Sequence, residues 1–544
     1  MKIILRYFNK AVKLFPQLFL MSILLILALT VMDALMPWAL RVYLDQLTEK
    51  NSIYAVLIGI LLFAAYLLLK LFVKIKWYIS LDNFGGQYIE SLSLELERTL
   101  AETDYSEIER IGSNVIRNIL FSDVLNIFRV IGHHIPSALG SLAIIIACIS
   151  VSLAYSGTTT IFILFSAMVG FLISWGSRKI VAKYAGKTNA KLKRHDSWCA
   201  QFVSLLPLIH NHNVLHYFQA NTSKNLQEFL ETAIEEDRKT MLWSGLANSY
   251  HQLFSIALSA LLAIPLSGNS IPDLVFFTML ADIVMEQTQK IEMLFQQIMK
   301  HHVSFVHVSE LHGLRSKYGN LSAATIESLI FAAVDFEYAN GVAALKNVSC
   351  CIKKGEIVRL SGDNGSGKST FLKLLTGLYS STNGEILING INIGRYSKDT
   401  LNKQFLYVDQ DEQCLNENFK TYLELITARK ITTEQYVKYL SELNINDDGR
   451  FIQDNGKSLS AGQRKKLMLL KYLIGSESAS VIVLDELTAG MDTETTKQAY
   501  MYIKRAAKEN GKIFFIVDHN APDDFEFTHR FCFKNGEIRK EAGV

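Results

Sequence analysis

A glycine-rich stretch in the second half of the chain has the composition of a phosphate-binding loop. Residues 362–370 read GDNGSGKST, which is the pattern G-x-x-x-x-G-K-[ST]. An apolar strand, Glu356–Ser361, precedes it and a helical segment, FLKLLTGL, follows it, which is the context that the motif requires. Glycines let backbone N–H groups approach phosphates, the lysine neutralises their charge, and the next hydroxyl can ligate Mg²⁺. The predicted nucleotide-binding residues are Gly362, Asp363, Asn364, Gly365, Ser366, Gly367, Lys368, Ser369 and Thr370.

Two adjacent carboxylates end another apolar strand. Asp485 closes the run VIVLD, and Glu486 follows it. In a phosphate-binding site a carboxylate at this place holds Mg²⁺ directly or through water, and the next carboxylate can polarise an attacking water. We therefore predict Ser369 and Asp485 as metal ligands and Glu486 as a catalytic residue. A structural salt bridge is the alternative role of Glu486.

Between these elements residues 459–463 read LSAGQ. This segment resembles the L-S-G-G-Q signature of the ATP-binding cassette (ABC) family, and the other family motifs occur before and after it in the expected order. The resemblance implies ATP and Mg²⁺ as cofactors, an aromatic residue stacked on adenine, and a site completed by the signature of a second chain. It assigns catalytic roles to Gln410 and His519, makes Gln410 a further metal ligand, and adds the nucleotide-binding residues Tyr338, Ser460, Gly462, Gln463 and Asp492.

Departures from the family pattern are few. Ala461 replaces the first glycine of the signature, Asp518 precedes His519 where Thr or Ser is common, and Lys471 stands where Arg is frequent. None of them removes a phosphate, metal or water contact. The chain thus resembles the hydrolysing members of the family rather than a nucleotide-gated protein that does not hydrolyse ATP, which remains the alternative.

The first ~300 of the 544 residues carry the long apolar runs. Charged residues make up 20% of the chain, below the ~25% of soluble proteins, and mean hydropathy is +0.18. A net charge of +3 disfavours nucleic acid as a partner. Spans of ~17–25 residues are predicted for six runs, of which the second and sixth are short and reach that length only with their polar ends: Phe15–Leu40, Ile53–Leu69, Ile135–Tyr155, Thr158–Ser174, Trp243–Leu266 and Leu274–Met285.

Basic residues before the first run, including Lys2, Arg6 and Lys13, predict a cytoplasmic N-terminus. Six spans then leave the C-terminus in the cytoplasm as well, in a multi-pass protein of the plasma (inner) membrane that contacts membrane lipid. A signal peptide is disfavoured because the apolar stretch is too long and lacks a small-residue cleavage site.

The predicted fold is an all-α transmembrane domain of six helices followed by an α/β P-loop ABC ATPase domain. The domain boundaries are 1–315 for the membrane domain, 316–328 for a linker and 329–544 for the nucleotide-binding domain. This arrangement resembles a half-transporter of the type IV exporter fold. The resemblance implies a homodimer, with a heterodimer possible, and coupling segments near Tyr105–Ile111 and Pro207–His212.

Polar residues recur at helical spacing inside the apolar runs. Asp282 and Glu286 share one face of the sixth run, Asn248 and Gln252 share one face of the fifth, and Asp33 lies in the first. Acids in hydrocarbon tend to face a water-filled interior, so we predict a substrate cavity of acidic character. The alternative is that these residues only pair between helices.

The motifs also resemble those of exporters of cyclic or ribosomally made antimicrobial peptides, such as microcins. We therefore expect ATP-driven peptide export by alternating access. A lipid or drug exporter of the same fold is the alternative, and import is a third reading. No cysteine-peptidase domain precedes the first span, so leader removal is not expected.

Overall fold

The computed structural model describes residues 2–50, 53–262, 271–409, 413–442, 451–486, 493–518, 521–522 and 525–540. They form two compact units. The first comprises residues 1–98 and 114–313, and the second comprises residues 99–113 and 314–544. Residues 99–113 thus belong by their contacts to the second unit, although the sequence assigns them to the membrane domain.

The described residues of the first unit form helices joined by short turns, without strands. Its longest helices follow the six apolar runs because an apolar run in lipid must satisfy its backbone groups internally. Several exceed 40 residues, or about 60 Å at 1.5 Å per residue, and so extend well beyond the ~30 Å of hydrocarbon. The helices are α1 (Lys2–Leu14), α2 (Pro16–Lys50), α3 (Ile53–Glu102), α5 (Ser113–Asn118), α6 (Val124–Phe128), α7 (Ile135–Tyr155), α8 (Gly157–Ser204), α9 (Leu206–Asn211), α10 (Leu215–Leu262) and α11 (Ile271–His312).

Among the described residues, three helical stretches are long and apolar enough to cross a membrane. They are Pro16–Leu47, Val56–Glu102 and Ser113–Tyr155, and a shorter apolar stretch, Gly157–Ile173, follows them. The helices α10 and α11 carry the fifth and sixth predicted runs, and residues 263–266 of the fifth lie outside the described residues. The helix order agrees with six spans, and the count itself stays a prediction.

Two short π-helical turns, Ile119–Asp123 and Arg129–His134, interrupt the chain before α7. The second turn packs tightly on α3: a Cβ atom added to Gly85 would lie 2.9 Å from Cα of Gly132 and 2.7 Å from the Phe128 ring. A Cβ on the neighbouring Gly86 would meet nothing within 4 Å. The close approach of the two backbones therefore needs glycine at one position and not at the next.

The second unit contains α4 (Tyr105–Ile111) and two β-sheets. The antiparallel sheet has the order β2-β1-β4-β5, and the other sheet has the order β10-β9-β3-β8-β7-β6. The strands are β1 (Ser328–Glu337), β2 (Ala343–Lys353), β3 (Ile357–Gly362), β4 (Asn383–Ile388), β5 (Ile391–Asn392), β6 (Phe405–Val408), β7 (Val481–Asp485), β8 (Ile513–Val517), β9 (His529–Lys534) and β10 (Glu537–Lys540).

Helices cover the sheets through two apolar clusters. The first is centred on Phe371, whose ring stacks on Phe331 at 4.5 Å between centroids. The second packs α16 against the buried faces of β7 and β8. The helices are α12 (Lys368–Leu375), α13 (Lys398–Gln404), α14 (Phe419–Thr427), α15 (Thr433–Glu442), α16 (Ala461–Gly475) and α17 (Thr493–Asn510).

Strands β3, β8, β7 and β6 are mutually parallel neighbours. Parallel strands end at the same edge of a sheet, and the crevice beyond their carboxyl ends is where open α/β sheets bind ligands. The phosphate-binding loop follows β3, and Asp485 ends β7. The topology therefore brings the two motifs predicted from sequence to one edge.

The glycine contact between α3 and the second π-helical turn yields a stability prediction. Gly85→Ala should lower the thermal unfolding temperature of the detergent-purified protein, because overpacking typically costs about 1–3 kcal/mol. Gly86→Ala is the matched control and should leave that temperature unchanged or raise it, since alanine favours a helix over glycine. Equal unfolding temperatures for the two variants would contradict the packing described.

Candidate nucleotide site and membrane cavity

The phosphate-binding loop has a backbone that only glycine accommodates at two positions. Gly362 has φ of 135° and Gly367 has φ of 110°, in the region that side chains rarely adopt. A Cβ on Gly362 would lie 2.4 Å from the Phe533 carbonyl oxygen, and one on Gly367 would lie 2.7 Å from that of Ala344. Strands β9 and β2 therefore press on the loop and fix its curve.

Lys368 begins α12 and lies largely buried under the loop. Its Nζ donates to the carbonyl oxygens of Gly362 at 2.6 Å and Asp363 at 2.9 Å. The Ser366 hydroxyl is buried and has no hydrogen-bond partner among the described residues, whereas Ser369 is exposed. An ammonium group, a spare hydroxyl and the N-terminus of α12 at one curved loop fit a polyphosphate.

Tyr338 follows β1 and is anchored to this loop. Its hydroxyl lies 2.8 Å from Oγ1 of Thr370. Its ring makes an edge contact with Tyr379, at 5.9 Å between centroids, and another with Phe336, at 5.0 Å. The aromatic residue predicted to stack on adenine thus lies beside the phosphate-binding helix, with its hydroxyl already engaged.

Asp485 accepts a hydrogen bond from the Tyr407 hydroxyl at 3.3 Å. Burial and then the charges of Asp409 and Glu486 raise the pKa of the Asp485 carboxyl to about 6, against lowering contributions from Tyr407 and Lys368. This carboxylate and the Ser369 hydroxyl offer oxygen ligands, as Mg²⁺ prefers. A divalent cation would relieve the repulsion that raises the pKa.

Glu486 has a left-handed backbone, with φ of 50°. Its N–H donates to the Val517 carbonyl oxygen of β8 at 2.7 Å. Non-glycine residues in this conformation carry strain of about 1–3 kcal/mol and cluster at functional sites. The hydrogen bond to β8 therefore holds the carboxylate predicted to be catalytic at the sheet edge.

The sequence did not predict the roles of two sets of residues that support the site, one around Tyr407 and one around Asp518. Tyr407 lies on β6, and Lys471 of α16 donates to its carbonyl oxygen at 2.6 Å. Asp518 is buried at the end of β8, where it accepts from the Tyr500 hydroxyl at 2.9 Å while Arg359 donates to its carbonyl oxygen at 3.4 Å. The signal for two of these residues was present, since Lys471 and Asp518 are departures from the family pattern.

The signature segment forms the start of α16. The Ser460 hydroxyl accepts from the Gln463 N–H at 3.2 Å, and the Gln463 side chain accepts from the Ser460 N–H at 3.0 Å. This reciprocal capping box fixes the N-terminus of the helix. A Cβ on Gly462 would meet nothing within 4 Å, so the surface at this end of α16 is open.

Several predicted site residues are not placed. Gln410, Asp492 and His519 lie outside the described residues, as does the side chain of Asn248. Their roles stay predictions.

The polar residues predicted for the membrane domain fall into separate groups. Asp33 and Glu286 line one cavity of ≈ 80 Å³. Asp282 does not line it and accepts from the Ser255 hydroxyl at 2.9 Å, and Gln252 is exposed. Asp282 and Glu286, which helical spacing places on one face of α11, therefore do not line the same cavity.

The charge of this cavity differs from the acidic character expected. Asp33 pairs with Lys70, and Glu286 pairs with Lys290 at 2.8 Å. Lys74 also lines the cavity, which makes three lysines against two carboxylates. The acidic character expected is not found in this cavity, because Lys70 and Lys74 come from α3 and Lys290 lies one turn after Glu286 on α11 itself.

Comparison with known proteins identifies the class of both units. Residues 345–489 match the family described as ABC transporter, and residues 19–288 match the family described as ABC transporter transmembrane region. The chain therefore belongs to the ABC transporter family, as a half-transporter whose helical membrane domain precedes its ATPase domain.

Solved structures show the same fold. A bacterial Atm1-family ABC exporter with ATP bound superposes with a TM-score of 0.83 at 16% identity, covering 96% of this chain and 94% of that chain. At this identity the likeness concerns the fold alone, which is that of an ABC exporter.

Curated relatives match a smaller part of the chain. A glutathione/L-cysteine transport ATP-binding/permease protein of Haemophilus influenzae is 30% identical over 41% of this chain and 40% of its own length. A subtilin transport ATP-binding protein of Bacillus subtilis is 34% identical over 36% and 33%, and an ATP-dependent lipid A-core flippase of Pasteurella multocida is 31% identical over 40% and 38%. The chain thus matches about two fifths or less of the length of these relatives.

The raised pKa of Asp485 predicts pH-dependent binding of Mg²⁺-ATP. Asp485 is a predicted metal ligand that must be ionised to bind Mg²⁺, and its pKa is about 6, so affinity should fall about tenfold between pH 7 and pH 5. Tyr407→Phe removes a lowering contribution, so the midpoint should move to higher pH. Equilibrium titration with a fluorescent ATP analogue tests this, and parallel titrations with EDTA correct for protonation of the nucleotide. A flat profile from pH 5 to 7 would contradict it.

Proposed function

We propose that the chain hydrolyses ATP to export a peptide across the plasma (inner) membrane, working as a dimer with both termini in the cytoplasm. One observation carries the proposal. The phosphate-binding loop and the pair Asp485 and Glu486 meet at one sheet edge, in the same chain as helices long and apolar enough to cross a membrane. An ATPase site coupled to membrane helices fits transport better than a nucleotide-gated protein without hydrolysis.

At the site, the loop N–H groups and Lys368 bind the β- and γ-phosphates, and Tyr338 stacks on adenine. Ser369 and Asp485, together with Gln410, would hold Mg²⁺, which supplies neutralisation of the charge that develops on the phosphates. Glu486 takes the proton of the attacking water, and His519 contacts the γ-phosphate. The strained backbone of Glu486 supports this role because it fixes the carboxylate rather than leaving it on a free loop.

The proposed dimer follows from the open end of α16. Ser460 and Gly462 begin this helix, and its N-terminal N–H groups form a ready anion site. They would close over the γ-phosphate held by a second chain, with Gln463 and Asp492 beside them. ATP then stabilises the closed dimer, and hydrolysis removes that preference. A homodimer suffices, since one chain carries both halves of the site.

Coupling to the membrane domain is proposed to run through α4, which continues from α3. The Tyr379 hydroxyl donates to Oε1 of Glu109 on α4 at 2.8 Å, while its ring contacts Tyr338. One aromatic side chain thus touches both the residue proposed to stack on adenine and α4.

A second anchor holds the start of α4. Asp104 caps the helix and accepts from Ser106, Ser380 and Lys317. Burial alone would raise the pKa of this carboxyl, but the hydrogen bonds from Ser380 and Ser106 and the charge of Lys317 outweigh it, and the pKa is lowered. The carboxylate therefore remains ionised and α4 stays docked within its unit at neutral pH.

The cargo is the finer part of the proposal. The names of relatives include a subtilin transport protein, a lipid A-core flippase and a glutathione/L-cysteine transport protein, which differ in what they carry. We propose a peptide on the motif resemblance and the subtilin relative. A lipid cargo is the second candidate, favoured by the lipid A-core flippase relative.

Glu486→Gln tests the ATPase. In proteoliposomes, ATP hydrolysis should fall at least 100-fold, because general acid–base catalysis contributes about 10²–10⁴-fold, while ATP binding is retained. Glu526→Gln is the matched control, since this side chain is 83% exposed. Hydrolysis that survives Glu486→Gln would contradict the assignment.

Uptake of labelled peptide into inverted vesicles, compared with uptake of labelled lipid, decides the cargo.

The α4 contact predicts an uncoupled variant. Glu109→Ala removes the acceptor of the Tyr379 hydroxyl, so substrate stimulation of the ATPase and transport should be lost while basal hydrolysis persists. Glu107→Ala is the control on the same helix, because Glu107 bonds only Arg110 among its described contacts. Equal transport by the two variants would show that the Tyr379 contact does not couple the units.

A further inference from the structure

The cavity in the membrane domain has more positive than negative charge. It lies among α2, α3, α7 and α11 and contains ≈ 80 Å³. Each of its two carboxylates already has a lysine, since Asp33 pairs with Lys70 and Glu286 with Lys290. Among the described residues Lys74 has no ion pair within 4 Å, and Glu286, on which its charge acts, is already paired with Lys290. A cation at the wall of a cavity within the membrane domain is costly unless it meets an anion.

The geometry places Lys74 where an incoming anion can reach it. It lies one turn after Lys70 and one turn before Trp77 on α3, and all three line the cavity. The cavity residues of α7 and α11 are already hydrogen-bonded to one another: Ser141 donates to the Gln287 side chain at 3.0 Å, and Lys290 donates to the same oxygen at 3.2 Å. A group the size of a carboxylate or phosphate fits this volume, and a whole peptide does not.

An apolar groove of ≈ 370 Å³ adjoins the charged pair along α2 and α3. Its walls are almost entirely apolar, and its size is that of a small-molecule pocket. Met32, next to Asp33, and Tyr66, one turn before Lys70, line the groove, and the Tyr66 hydroxyl donates to the Met32 carbonyl oxygen at 3.1 Å. The helix pair α2 and α3 thus offers a charged cavity for a polar group and an apolar groove for a hydrocarbon chain.

We propose that this cavity binds the oxyanion group, carboxylate or phosphate, of an amphipathic molecule whose apolar part lies in the α2–α3 groove. The proposal rests on the proposed transport function and narrows its substrate class to amphipathic anions, such as an apolar peptide with a free carboxylate. Lys74 supplies the charge that the paired lysines do not.

Binding to the full chain in the absence of ATP tests the proposal independently of the ATPase. The probes are laurate, dodecyl phosphate, dodecanol and dodecylamine, which share one chain length and differ in the head group. The protein is placed in vesicles of phosphatidylcholine, and affinity is measured by equilibrium dialysis. Laurate and dodecyl phosphate should bind at least tenfold more tightly than dodecanol or dodecylamine, since hydrogen bonds to charged groups are the strong ones.

Lys74→Met keeps the length of the side chain and removes its charge, so laurate should bind about tenfold more weakly and dodecanol unchanged. Lys76→Met is the matched control, because Lys76 lies over the Phe72 ring and does not line the cavity. Equal effects of the two variants, or equal binding of laurate and dodecylamine, would overturn the proposal.

Two further arms identify the source of the oxyanion. If phosphatidylglycerol added to the vesicle displaces laurate, the site is supported and its natural ligand is a lipid phosphate. Competition by an apolar peptide with a free C-terminal carboxylate, but not by its amide, supports the site and assigns a transported peptide. If the unmodified protein hydrolyses no ATP but still binds laurate more tightly than dodecylamine, the proposed function is wrong and the anion site stands.

Discussion

Burial of a carboxylate beside two others at the edge of the parallel sheet is the constraint on which the predicted nucleotide site depends. Asp485 is buried beside Asp409 and Glu486, and the pKa of its carboxyl is raised to about 6 as a result. Lys368 opposes this charge, yet its ammonium is held by two carbonyl oxygens of the loop. A metal-bound polyphosphate at this place would bring charges that balance both the lysine and the acids.

The surrounding fold keeps these charges together. The order β3-β8-β7-β6 places the loop after β3 and the acids after β7 at one edge, and the N–H of Glu486 is bound to β8. Asp518 follows β8 and is held by Tyr500 and Arg359. The backbone of Glu486 and the residue that precedes His519 in the sequence are thus both held at the end of β8.

How much the sequence could predict depends on how local each feature is. The loop at Gly362–Thr370 was predictable because its strand, glycines and helix are consecutive residues. The roles of Tyr407 and Arg359 were not predictable, because their partners are distant in sequence. Arg359 contacts Asp518, 159 positions away, and Tyr407 contacts Asp485, 78 positions away. Only the order of strands in the sheet brings these residues together. In the membrane domain, spacing placed Glu286 on one face of the sixth run, but the ion pair of Lys70 with Asp33 depends on the register of two helices, which periodicity does not determine.

The position of Tyr379 suggests why an energetic signal from the site would pass into α4. Its ring contacts Tyr338, and its hydroxyl is bound to Glu109. Tyr338 is in turn bound to Thr370 on α12. A rigid aromatic ring has few rotamers in which to absorb a shift. If adenine stacks on Tyr338 as proposed, a displacement of that ring would move the Tyr379 hydroxyl or break its bond to Glu109. Either outcome changes how α4 is held, and α4 continues from the long helix α3.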